Sequence, residues 1–156
     1  MKILILSIAN KMPQWVEVIS NQYLKWINHG KYNCEIKDIK SDKQLNTSKI
    51  KNMELEAQKF TNNIKKGSFL IVLDENGRGY SSEKFASILN DISLETSDIT
   101  FIIGGANGIH QSLKSKANII IKLSDLTFPH TLVRVILLEQ IYRAITILDG
   151  HPYHRE

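Results

Sequence analysis

Phe69-Leu70-Ile71-Val72-Leu73 is a run of five apolar residues with no polar alternation, followed by Asp74-Glu75-Asn76-Gly77-Arg78. A strand with one face in water alternates apolar and polar residues, whereas a strand apolar on both faces belongs in a sheet covered from both sides. Runs of similar length recur at Ile3 to Ile8, Glu35 to Ile39, Ile99 to Ile103 and Ile119 to Leu123, each separated by enough chain for a helix. That alternation predicts an α/β fold, a mostly parallel sheet with helices on both faces.

The intervening stretches carry helical signals at about 13 to 28, 47 to 66, 81 to 93 and 129 to 148. Pro13 suits a first helical turn, and Trp15, Ile19, Tyr23 and Ile27 follow on one face at four-residue spacing. Ser81 or Ser82 can cap the third helix, with Phe85, Ile88 and Leu89 turned inward. Lys40 to Lys51 is polar and reads as a loop. With 156 residues, 42% of them apolar, and no repeat or proline-rich linker, the chain is expected to form a single domain, 1–156.

Composition narrows the function classes. The single cysteine, Cys34, allows no internal disulfide and has no neighbouring ligands at structural-zinc spacing, so it reads as a small buried hydrophobe in a reducing compartment, with no metal. The apolar start at Ile3 to Ile8 lacks a signal-peptide cleavage pattern, and no apolar run approaches the roughly 20 residues that span a bilayer. A soluble, cytoplasmic protein without membrane contact is the expectation. The net charge of +4 is uneven: residues 1 to 66 carry 12 Lys/Arg against 6 Asp/Glu, and the remainder 8 against 10. A basic half can draw phosphate backbones without reading sequence, and it can equally be a solvated face.

The last predicted helix is apolar around most of its circumference, from Leu132 through Ile136 and Ile141 to Leu148. One sheet face cannot cover such a helix, which points to burial on a second side, by another subunit in a homodimer or by the other helices of a monomer closing over it; the homodimer is the expectation.

Two loops fall where a parallel sheet places ligands, beyond the carboxyl ends of strands. Gly104-Gly105-Ala106-Asn107-Gly108 follows one strand, and its glycines permit close approach to main-chain amides. It is neither a dinucleotide fingerprint nor a P-loop, since no Gly-Lys-Ser/Thr follows. Leu123-Ser124-Asp125-Leu126-Thr127-Phe128-Pro129-His130 leads from the fifth strand into the last helix; Leu126 and Phe128 offer apolar surface for a purine. The chain ends in His151-Pro152-Tyr153-His154-Arg155-Glu156, which gathers a phenol, two imidazoles and a guanidinium where a terminus is usually a disposable fringe.

Taken together, Ile103 to Gly108, Thr127-Phe128-Pro129-His130-Thr131-Leu132-Val133-Arg134-Val135, Glu139-Gln140-Ile141-Tyr142-Arg143-Ala144 and Tyr153-His154-Arg155 resemble the bacterial ribosomal RNA large subunit methyltransferase H (RlmH) family of the SPOUT superfamily. The resemblance runs from the first strand through Leu73-Asp74-Glu75-Asn76-Gly77-Arg78 to the last residue. It implies a SPOUT-type α/β domain with a C-terminal trefoil knot, a rare exception to the usual topology rules that periodicity alone does not reveal. It further implies a homodimer that transfers methyl from S-adenosyl-L-methionine to N3 of a pseudouridine in 23S rRNA within the assembled ribosome.

By the same resemblance, cofactor contacts fall on Leu73, Gly104 and the run Leu123, Ser124, Asp125, Leu126, Thr127 and Phe128. Asp125 is also open to reading as a charge partner for the sulfonium or as a solvated turn residue. Catalytic candidates are His154, Tyr153, Arg155, Arg143 and His130: an imidazole to take the N3 proton, a phenol to stack on the base, and guanidinium forks for phosphate. Arg78 is a further candidate for RNA phosphate. The tail of one subunit is expected to complete the pocket of the other. The competing readings are a non-enzymatic ribosome- or RNA-binding module with a vestigial nucleotide pocket, and a small flavodoxin-like nucleotide-binding domain.

Overall fold

The computed structural model describes residues 1 to 41 and 48 to 155, and of His154 and Arg155 only the backbone. Residues 42 to 47, half of the polar loop expected at Lys40 to Lys51, therefore lie outside the described residues, and Lys49 to Lys51 belong to the helix that follows instead of a loop. The chain runs β1 (Lys2–Ile8), α1 (Gln14–Ile27), β2 (Asn33–Ile39), α2 (Lys49–Asn63), β3 (Phe69–Arg78), α3 (Ser82–Glu95), β4 (Asp98–Ile103), α4 (Gln111–Lys114), β5 (Ile119–Ile121) and α5 (His130–Leu148), closing in a 3-10 turn at Pro152–Arg155. The five strands form one sheet in the order β2-β1-β4-β3-β5, and every pairing is parallel. The predicted α/β class is the observed one.

Both faces of the sheet are covered, as the unbroken apolar strands require. Ile3, Ile5, Ile71, Ile99, Phe101 and Ile103 face one way, toward Phe85 and Leu89 of α3 and Leu137, Leu138 and Ile141 of α5. Leu6, Ile8, Leu70, Val72 and Ile102 face the other way, toward Ala57 and Phe60 of α2 and Leu113 of α4. Each large side chain so buried contributes roughly 1.5–3 kcal/mol relative to exposure. Cys34 is a core residue as expected, and burial pushes its thiol up to about 12.

Helix boundaries follow local chemistry. Ser48 and Ser81 cap α2 and α3, accepting from the Lys51 and Lys84 amides at 3.3 and 3.2 Å. Pro13 and Pro129 occupy the N-cap positions of α1 and α5, one residue before the first-turn place predicted for them. The inward stripe of α1 is also rotated from its predicted line: Val16, Ser20 and Ile27 are buried, whereas Trp15 is 45% exposed. Four-residue spacing fixes a helical face but not which neighbour covers it. Trp15 and Val18 of α1 and Leu132 of α5 are exposed in the single chain.

Two features of β3 and β5 position everything that follows. Residue Ile121 pairs with both Leu73 and Arg78, so Asp74 to Gly77 bulge out between two contacts made by one residue. The Lys122 amide then donates to the Arg78 carbonyl at 3.1 Å, carrying the chain past that bulge. The approach is so close that a Cβ on Gly77 would stand 2.5 Å from the Ile121 carbonyl carbon. A side chain there must displace backbone. Gly77→Ala is accordingly expected to destabilise the protein by about 1–3 kcal/mol, the usual range for forced overpacking. Urea unfolding measures it, and an unchanged midpoint would show that the passage is looser than described.

Candidate active site

The carboxyl ends of β3, β4 and β5 converge on one cavity of about 550 Å³. Its walls come from three separate segments: Leu73 to Glu75, Ile103 to Ile109, and Ile121 to Val133. Lys49, the first residue of α2, stands at its edge. The sheet's connections diverge at this point, since β4 lies on one side of β3 and β5 on the other. Backbone ends splay apart where successive connections leave in opposite directions, and open α/β sheets bind ligands in that gap.

Glycine makes the middle wall possible. Gly105 and Gly108 close a tight turn through a 3.0 Å bond from the Gly108 amide to the Gly105 carbonyl, with Gly108 at φ +81°. A Cβ on Gly104 would come within 2.6 Å of Ile109 Cγ1, so any larger residue displaces the Ile109 side chain or the turn itself. The third wall is shaped by Ser124, whose hydroxyl accepts from the Leu126 amide at 2.9 Å. That turn leaves Leu126 73% exposed at the lip.

Of the residues expected to hold the cofactor, Leu73, Gly104, Leu123, Ser124, Leu126, Thr127 and Phe128 all line this cavity. Asp125 does not. Its carboxylate is 88% exposed and meets Lys122 Nζ at 2.5 Å. The hydrogen bond and charge of Lys122 hold that carboxyl below its ordinary value. His130, at the start of α5, lines the cavity.

The remaining catalytic candidates lie elsewhere. Arg143 is 13 residues beyond His130 on the same helix, a separation of about 20 Å at 1.5 Å rise per residue. There Arg143 Nε donates to Glu139 Oε1 at 2.7 Å, and its guanidinium sits 5.2 Å over the Tyr153 ring. The Glu139 hydrogen bond holds Arg143 above its ordinary value. Tyr153 packs edge-on against Tyr142 at 4.8 Å. The side chains of His154 and Arg155 lie outside the described residues. Within one chain, then, the cavity and the tail occupy opposite ends of α5. Arg78 is apart from both, its guanidinium 5.2 Å over Tyr80.

Sequence reasoning missed one pair. Asp74 lines the cavity, and its side chain is only 8% exposed. Asp74 Oδ2 meets Lys114 Nζ of α4 at 2.5 Å, while Oδ1 accepts from the Asn76 amide at 3.0 Å. Burial works to raise its pKa, but the hydrogen bonds from Lys114 and Asn76, with the Lys114 charge, outweigh it and hold the carboxyl below its ordinary value. The pair clamps the β3 wall to the helix that follows the glycine wall. No sequence signal links residues forty positions apart. Among the described residues no group of three His, Cys, Asp or Glu is placed to hold a metal ion.

With this geometry in place, comparison with known proteins is informative. A family model described as predicted SPOUT methyltransferase matches residues 1–154. Curated relatives named ribosomal RNA large subunit methyltransferase H include proteins from Polynucleobacter asymbioticus, 45% identical over 156 residues, and Chromobacterium violaceum, 40% identical over 157 residues. A third, from Neisseria gonorrhoeae, is 38% identical over 157 residues; all three matches cover 100% of both sequences. The chain belongs to the SPOUT methyltransferase family.

The Asp74–Lys114 clamp has a pH signature. A carboxyl held low in the folded state stabilises above its unfolded pKa of about 3.9 and loses that contribution as pH falls through its lower folded value. Lys114→Met should therefore lower stability at neutral pH, with the gap to the parent protein closing under acid. Thermal unfolding across that range checks it; a gap independent of pH would mean that Lys114 acts through packing alone.

Proposed function

We propose that this SPOUT methyltransferase uses S-adenosyl-L-methionine to methylate N3 of a pseudouridine in 23S rRNA within the assembled large subunit, as a cytoplasmic homodimer. The observation that carries the reading is full-length agreement with relatives named for large-subunit methylation, joined to a cavity at the strand ends whose lining is compatible with a nucleoside-bearing cofactor. The cavity volume falls within the range usual for cofactor sites. Leu73, Leu126, Phe128 and Val133 supply apolar surface for an adenine ring, and Gly104 and Gly105 bring main chain to the wall without side chains in the way. No lysine-bearing phosphate loop follows the glycines, and a cofactor lacking phosphates requires none.

When bound, S-adenosyl-L-methionine supplies an electrophilic methyl group for in-line displacement. The protein's work is to hold the attacking N3 in line, to exclude water and to accept the imide proton. Positioning of this kind supplies most of the acceleration in such transfers. We assign proton removal at N3 to His154, a contribution of roughly 10²–10⁴ in rate. His130 in the cavity wall is the second imidazole that the test below separates. Arg155 is read as a planar fork for RNA phosphate.

The tail reaches the chemistry in trans on this reading. Its own cavity lies about 20 Å away along α5, and the exposed Trp15 and Val18 of α1 and Leu132 of α5 offer surface for a second copy. A two-fold axis across that surface would bring one subunit's tail toward the other's cavity. The passage of Ile121 and Lys122 behind Gly77 supports the trefoil knot as part of the same proposal.

Mass spectrometry of 23S rRNA after incubation with cofactor and unmethylated ribosomes, with free RNA in parallel, is the direct test. Methylated pseudouridine from ribosomes alone is expected; methyl transfer elsewhere, or none despite calorimetric cofactor binding, would overturn the substrate. Failure to bind cofactor at millimolar concentration would favour a non-enzymatic RNA-binding module.

Deletion of residues 151 to 156 should spare cofactor binding and abolish transfer. For the base, His154→Gln should lower the single-turnover rate at saturating cofactor by on the order of 10²-fold or more, whereas such a loss in His130→Gln alone would move the assignment to His130.

A further inference from the structure

The last turn of the chain is built more firmly than a terminus requires. After α5, Gly150 turns the backbone at φ +69°, and the His151 amide returns to the Thr146 carbonyl at 2.8 Å. The Tyr153 amide then donates to His151 Nδ1 at 3.2 Å. These bonds fold the tail back against the helix it leaves. They aim Tyr153 at side chains from two helices.

Those side chains form an aromatic box. Tyr142 of α5 stands edge-to-face with Tyr153, and Trp26 of α1 lies 5.3 Å from Tyr142. Tyr23 lies 5.3 Å from Trp26 and 6.1 Å from Tyr142, and its hydroxyl meets that of Tyr153 at 3.5 Å. Arg143 covers the Tyr153 ring from a further direction, itself fixed by Glu139. A ring packed in this way is not free to slide over a nucleobase. Nor is its phenol suited to accept a proton: burial, with the hydrogen bond to Tyr23, pushes it well above its ordinary value.

We propose that Tyr153 is a positioning residue: docked among Tyr23, Trp26, Tyr142 and Arg143, it fixes the direction in which the chain presents His154 and Arg155, and its hydroxyl takes no part in methyl transfer. Tyr142 and Trp26 become positioning residues for the same purpose. Two helices supply three rings and a guanidinium to hold one tail residue, so the two residues after it leave from a fixed point. The proposal rests on the methyltransferase reading for its catalytic consequence, while the docking itself stands apart from it.

The test compares Tyr153→Phe, Tyr153→Ala and Tyr142→Leu. Each is assayed for cofactor affinity, for single-turnover methylation of unmethylated ribosomes, and for trimming of the tail by carboxypeptidase followed by mass spectrometry. The Phe variant keeps the ring and should trim and methylate as the parent does. Both Tyr153→Ala and Tyr142→Leu should trim faster through position 153 and lose methylation rate on the order of 10²-fold, the penalty of a displaced catalytic group. Cofactor affinity should be unchanged in all three. Tyr142→Leu retains a large apolar side chain within α5, and thermal melting confirms that it folds.

Loss of transfer in Tyr153→Phe with a normally protected tail would overturn the proposal by showing that the phenol itself participates. Parent-like trimming and methylation in Tyr142→Leu would overturn it by showing that the box does not hold the tail. If the parent protein methylates no ribosomes, the functional reading fails, and the trimming comparison still decides whether Tyr153 is docked by these rings.

Discussion

The passage of Ile121 and Lys122 behind Gly77 is the constraint on which the rest of the molecule depends. A three-residue strand makes few ladder bonds of its own, and β5 is held because Ile121 engages β3 at Leu73 and again at Arg78. That double engagement lifts Asp74 and Glu75 into one wall of the cavity and releases Lys122 to Pro129 as the facing wall. It also decides that α5 starts beside the cavity. A side chain at position 77 would press on the backbone that both walls share.

From that start, α5 runs for 19 residues, about 28 Å at 1.5 Å rise per residue. The helix is anchored near its beginning by Arg134, whose guanidinium is almost wholly buried and takes the Asp38 carboxylate at the end of β2 as a forked partner. Removing a buried charge from water is expensive even when paired, so such a pair is weak as a source of stability and stronger as a way of fixing one arrangement over others. Here it ties α5 to the β2 edge of the sheet, across the molecule from β5. The C-terminal end of α5 then lies beyond reach of the cavity at its N-terminal end.

Much of this was legible in the residues. Unbroken runs such as Phe69 to Leu73 declared a sheet covered on both sides, and the glycines after Ile103 with the turn after Leu123 marked the cavity walls. The fit failed where neighbours rather than neighbours in sequence decide. Trp15 lies on the four-residue line of α1 yet faces outward, because α5 covers the adjacent stripe through Val16 and Ser20. Asp125 sits within the cofactor run yet turns to Lys122, three residues back, since a short turn favours its nearest cation over a distant ligand. The Asp74–Lys114 clamp and the box around Tyr153 join segments far apart in the chain, and no periodicity records them.

The charge distribution acquires meaning in the same way. The lysine excess of the N-terminal segment, by itself, fits a solvated face as well as an anion-attracting one. Lys11 and Lys40 follow the carboxyl ends of β1 and β2, and Lys49 and Lys51 open α2, so these four share the end of the molecule that bears the cavity. Glutamate or aspartate is the favoured company for a helix N-terminus, yet the first turn of α2 has none. Positive charge at that end concentrates anions there without choosing among them. Charge of that kind carries no sequence information, so selection of one nucleotide has to come from shape.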